Sequence, residues 1–79
     1  MAKTVLLSDV RDTIYAYSGD NVEYIGLAHP GSGIDEAKWQ IKKLFYTGSN
    51  VIGQRFADGD ITFSKIWNDR TGYEYKTVT

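Results

Sequence analysis

Short segments rich in β-branched and aromatic residues alternate along this chain with turns built on glycine beside Asn, Asp or Ser. Residues 39–46, 51–57 and 61–67 are three such segments, separated by Thr47-Gly48-Ser49-Asn50 and Asp58-Gly59-Asp60. Glycine in that company supplies the φ > 0 positions of a tight hairpin at little cost. The stretch 39–67 therefore predicts a three-stranded antiparallel meander.

The same grammar continues upstream and downstream. Residues 13–17 read as a strand, Ser18-Gly19-Asp20-Asn21 as a hairpin turn, and 22–28 as the returning strand. Strict alternation puts Val22, Tyr24 and Gly26 on one face and Glu23, Ile25 and Leu27 on the other. His29-Pro30-Gly31-Ser32-Gly33 breaks the pattern and reads as a loop, and 34–38 as at most one helical turn. Two readings compete after that. Ile34, Ala37, Ile41, Leu44 and Phe45 fit a helical repeat over 35–45, whereas direct entry into a hairpin turn favours a strand from Trp39 on. Residues 68–72 predict a turn. Residues 73–78 predict a closing strand, with Tyr73 and Tyr75 on one face. Residues 1–12 read as an N-terminal arm or short strand, its apolar part at 3–7 including Leu6 and Leu7. Six or seven short strands with turns every eight to twelve residues predict one mostly-β domain over 1–79, an antiparallel sandwich or barrel.

Composition narrows what such a domain does. Seventy-nine residues without cysteine have no disulfide or thiolate metal site to stabilise a small core. Two Trp, six Tyr and three Phe exceed what so small a core buries fully, so some belong on a contact surface. Tyr73, Tyr75, Trp39, Leu6 and Leu7 are the candidate contact residues, tyrosine offering large area with few rotors. A net charge of −1 argues against a general phosphate-backbone binder. No run reaches membrane-spanning length, and the N-terminal apolar stretch is too short for a secretory signal, so synthesis in the cytoplasm without export is expected.

The chemical motifs are weak. His29 has no nucleophile nearby in sequence, and no serine sits in an elbow motif. Asp58-Gly59-Asp60 lacks the further oxygen ligands of a calcium loop. Asp35, Glu36 and Glu74 read as solvated carboxylates rather than a glycosidase pair. Lys38, Lys42, Lys43 and Arg55 with Trp39 and Phe45 suggest a basic-aromatic stripe, but Lys42 and Lys43 point to opposite faces of a strand. Gly31-Ser32-Gly33 lacks the lysine of a phosphate loop. No catalytic, cofactor-binding or metal-ligating set emerges, and a non-enzymatic protein is expected.

Four blocks carry a resemblance: Gly19-Asp20-Asn21-Val22-Glu23-Tyr24-Ile25-Gly26-Leu27-Ala28 with Pro30-Gly31; Trp39-Gln40-Ile41-Lys42-Lys43; Phe56-Ala57-Asp58-Gly59-Asp60; and Ile66-Trp67-Asn68-Asp69-Arg70. In these blocks, across residues 13–77, the chain resembles a family of small uncharacterised proteins of tailed bacteriophages. The resemblance implies a virion-associated protein and brings no catalytic residues. It leads to the expectation of an accessory virion subunit, in the tail, fibre or adsorption apparatus or decorating the capsid. Such a subunit binds other virion proteins as a homo-oligomer or symmetric multi-copy assembly. A host-glycan-binding module and an intracellular phage factor binding a host protein or nucleic acid are the alternatives.

Overall fold

The computed structural model describes residues 11–76. Among these residues six strands occur in chain order: β1 (Asp12–Ser18), β2 (Asn21–Ala28), β3 (Ala37–Thr47), β4 (Asn50–Ala57), β5 (Lys65–Ile66) and β6 (Tyr75–Lys76). A 3-10 helix (Trp67–Gly72) separates the last two. The domain is mostly β and every pairing is antiparallel, as the segment pattern predicts. The strands form one sheet in the order β1-β2-β3-β4-β6, with β5 on β3. The arm at 3–7, with Leu6 and Leu7, and the end of the closing strand lie outside the described residues.

Local chemistry decides the first four strands. Gly19 and Gly48 hold φ of 64° and 60° at the first central position of two-residue turns, where only glycine is relaxed. These turns fix β1–β2 and β3–β4 as hairpins. The competition over 39–45 resolves to strand: Trp39 and Ile41 are buried two residues apart, the sheet period rather than the helical one.

The third strand of the predicted meander is largely absent. Only Lys65 and Ile66 are extended, and they pair with the start of β3 rather than with β4. The Asp60 carboxylate is the reason. It accepts from the Thr62 amide at 2.8 Å and the Thr62 hydroxyl at 2.7 Å, which folds 60–64 on itself. Asp58-Gly59-Asp60 is accordingly a turn out of β4, and β6 takes the edge it vacates. The helical turn lies at Trp67–Gly72, while Ile34 and Asp35 form a turn without becoming helical.

The core lies on one face of the sheet, at the end away from the two hairpin turns. Tyr24, Ala28, Trp39, Ile41, Ala57 and Trp67 are its buried members, with Ile14, Ala16, Tyr73 and Tyr75 packed against them. The cross-strand pairs Ile14–Gly26–Ile41 and Ala16–Tyr24–Lys43 show that these positions share a face. The covering layer comes from residues beyond β4. Hydrogen bonds fasten it: Asn68 N–H to the Ile34 carbonyl at 3.0 Å, Trp39 Nε1 to the Gly33 carbonyl at 2.9 Å, and Ile66 N–H to the Tyr73 hydroxyl at 2.9 Å.

Candidate contact surface

The opposite face of the sheet is covered at one end by the 60–64 loop, where the Gln40 side-chain amide donates to the Ile61 carbonyl at 2.7 Å, and has no further covering layer among the described residues. The register places Thr13, Leu27 and Gln40 there in one row, and Tyr15, Ile25, Lys42 and Phe56 in the next. Leu44 and Gln54 form a third. Two bulges enlarge it. Tyr17 pairs with Val22 while Ala16 pairs with Tyr24, so Glu23 is an extra residue on β2. Tyr46 pairs with Val51 while Phe45 pairs with Gly53, so Ile52 is extra on β4. A bulge leaves the unbulged strand in phase. Tyr17 and Tyr46 therefore stay beside Tyr15 and Leu44, and Val22 and Val51 join them. This moves Val22 off the face of Tyr24 and Gly26, where strict alternation puts it. The Tyr46 hydroxyl donates to the Val22 carbonyl at 2.6 Å, tying β3 to β2 above the bulge.

The resulting surface is apolar across four strands. Tyr15 is 53% and Tyr17 62% exposed, with Val51 at 55%. Ile25, Leu27, Leu44, Tyr46 and Phe56 are half-buried. Lys42 brings charge to the middle of this face. Its ammonium lies 5.8 Å from the centroid of the Phe56 ring, with no carboxylate partner among the described residues.

The residues expected from the sequence to make contacts lie elsewhere. Trp39 is a core residue, 3% exposed, its ring 6.1 Å from that of Trp67 and its indole N–H taken by Gly33. That corrects its assignment as a contact residue, because almost none of its surface reaches a partner. Tyr73 and Tyr75 are half-buried on the core side and engaged within the chain. The Tyr75 ring lies 5.5 Å from that of Tyr24, and its hydroxyl donates to the Arg70 carbonyl at 2.6 Å. Burial, followed by the neighbouring Tyr24 and Tyr73 hydroxyls, raises the Tyr75 pKa well above the ordinary tyrosine value. Leu6 and Leu7 are outside the described residues. Sequence alternation missed Tyr15, Tyr17 and Leu44, although one signal was present: residues 22–28 are apolar at both parities, unlike a strand with a solvated face.

The other clusters carry less chemistry. Lys43 and Arg55 meet across β3 and β4 with Phe45 beside them, at 5.6 and 5.4 Å from its ring, and Lys43 also approaches Glu23 at 4.0 Å. Lys42 lies on the opposite face, so the basic stripe is split as expected. His29 is exposed and its ring lies 6.2 Å from that of Phe63. Asp60 is held to about 2 by the Thr62 backbone and hydroxyl hydrogen bonds and by Lys65 at 3.1 Å, which makes it a loop organiser. Among the described residues no group of three or more His, Cys, Asp or Glu could hold a metal ion, and no helix is long and apolar enough to cross a membrane.

No protein-family model matches the chain, and neither a curated protein nor a solved structure does.

Proposed function

We propose that this protein is a non-enzymatic structural subunit of a bacteriophage particle, joined to other virion proteins through the outer face of its sheet. The observation that carries the reading is that face: apolar side chains on four adjacent strands, opposite a face that already holds the core. A sheet apolar on both faces is stable when a second layer covers each of them. Contiguous apolar surface of this kind marks a contact site. The resemblance to small tailed-phage proteins supplies the setting. Symmetric multi-copy attachment then turns a modest contact into a durable one. Attachment at the tail, fibre or adsorption apparatus is favoured over capsid decoration.

Quantitative mass spectrometry of purified phage particles tests it. Tens to hundreds of copies per particle are expected. Threefold or sixfold multiples indicate tail or fibre sites, and capsid-lattice multiples indicate decoration. Absence from particles rejects the reading and directs attention to a target inside the infected cell. The exposed rings of Tyr15 and Tyr17 favour one second reading, a host-glycan-binding module, since sugars stack on exposed aromatic faces. Saturable binding on a glycan array, lost in Tyr17→Ala, would establish it.

A further inference from the structure

We infer that two copies of this chain pair through the free edge of β1, antiparallel about a two-fold axis at Tyr15, so that the two sheets become one. This contact uses the edge of the sheet and leaves the outer face to the virion proteins of the preceding reading, beyond which it goes.

β1 ends the sheet, with β2 on one side and no described strand on the other. The two ends of the sheet differ in protection. The exposed edge of β4 carries the bulged Ile52 and Arg55, and β6 covers its end at Phe56 and Ala57. β1 reads Asp-Thr-Ile-Tyr-Ala-Tyr-Ser, with no Lys, Arg, Pro or extra bulged residue, the devices that keep an edge from pairing. Its foot is fixed, because the Gly31 N–H donates to the Asp12 carboxylate at 3.2 Å.

The hairpin geometry gives this edge a register. In a two-residue hairpin the flanking pair, here Ser18 and Asn21, exchanges its hydrogen bonds. Alternation along β1 then turns the peptide groups of Tyr17, Tyr15 and Thr13 outward. A two-fold axis at Tyr15 sets Tyr15 against Tyr15 of the second copy and Thr13 against Tyr17, all of them outward-facing. About six inter-strand hydrogen bonds form in this register.

The side chains agree with the backbone. Thr13, Tyr15 and Tyr17 all belong to the apolar outer face, so pairing makes that face continuous across the axis. Tyrosines 53% and 62% exposed become cross-strand aromatic neighbours. A register centred on Ala16 instead places Asp12 opposite Asp20, a like-charge pair. An edge pairing this short lies at the small end of specific interfaces, so association in the micromolar range is expected.

Sedimentation equilibrium of the full chain, at roughly 10–500 μM, tests the pairing. A reversible monomer–dimer equilibrium is expected for the natural sequence. Tyr15→Lys puts two like charges on the axis and should weaken the dimer by about tenfold or more. Ile52→Lys, at a still more exposed position but at the far hairpin, should leave it unchanged. Circular dichroism and melting of Tyr15→Lys should match the natural chain, and Tyr15→Pro gives a second edge block that removes only an outward N–H. A natural chain monomeric throughout overturns the inference, as does a dimer indifferent to both Tyr15 substitutions. A monomer whose β1 amides resist hydrogen exchange would assign the edge to residues 1–10 instead, also overturning it. The measurement needs no phage: a monomer found in particles removes the pairing alone, and a dimer absent from particles removes the virion reading alone.

Discussion

The ring of Trp67 rests on Gly26 at the place where a side chain would begin. A Cβ on Gly26 would lie 2.6 Å from Cε3 and 2.7 Å from Cζ3 of Trp67, and 2.9 Å from Cγ2 of Ile14. Gly26 is thus the floor on which the covering layer sits. Trp67 reaches it because the chain leaves β5 directly into the 3-10 helix.

Gly26→Ala should therefore destabilise the domain by roughly 1–3 kcal/mol, as overpacking does. Replacing a strand glycine by alanine would otherwise be mildly favourable. Urea unfolding reads the sign directly. A midpoint equal to or above that of the natural chain would show that Trp67 does not pack here.

Tyr75 belongs to the fold rather than to a contact. Tyr75→Phe, which deletes the 2.6 Å hydrogen bond to the Arg70 carbonyl, should cost about 1 kcal/mol. Tyr75→Ala should cost about 2 kcal/mol or more in the stability of the monomer. The raised pKa adds a pH signature. The stability it contributes is intact below the unfolded value of 10.0 and is lost as pH rises past it, when the unfolded state ionises first. Tyr75→Phe should flatten that alkaline decline. An unaltered decline would place its origin elsewhere.

Asp60 should give an acid signature of the opposite sense. Its carboxyl is lowered from 3.8 to about 2 by the Thr62 hydrogen bonds and Lys65. The stability it contributes is present above 3.8 and disappears as pH falls toward about 2. Comparing urea midpoints at several pH values across this window for the natural chain and Asp60→Asn checks the assignment. The acid limb should be shallower in the variant, and parallel limbs would refute it.

Gly48→Val and Gly59→Val should each cost about 1 kcal/mol or more, since φ is 60° and 67° at these positions. Gly48→Val should act by opening the β3–β4 hairpin. Gly59→Val should act on the turn that carries the chain from β4 toward the Asp60 loop. Thermal melts unchanged in both would mean that neither turn needs its glycine.

The first four strands were legible in the sequence because each is decided locally. Gly19 and Gly48 mark their hairpins, and β-branched and aromatic residues fill the strands between. The stretch after β4 was not legible in the same way. Residues 61–67 have strand composition, yet the Asp60 side chain captures Thr62, and Trp67 turns away to cover the sheet. Composition also read Trp39 as a contact residue, which required knowing that Trp67 returns from elsewhere in the chain to enclose it. The two bulges were invisible for a related reason. Glu23 and Ile52 become extra residues only once β1 and β3 set the register against which they are counted.

By itself the sequence determined the class of the protein: antiparallel β, joined by glycine hairpins. Turn chemistry and alternation act over a few residues and survive without context. Tertiary structure decided which aromatics are core and which face outward, because burial depends on what the end of the chain lays over the sheet. It also decided that, among the described residues, β1 ends the sheet and much of one apolar face has no layer over it, since both appear only when the strands are placed side by side.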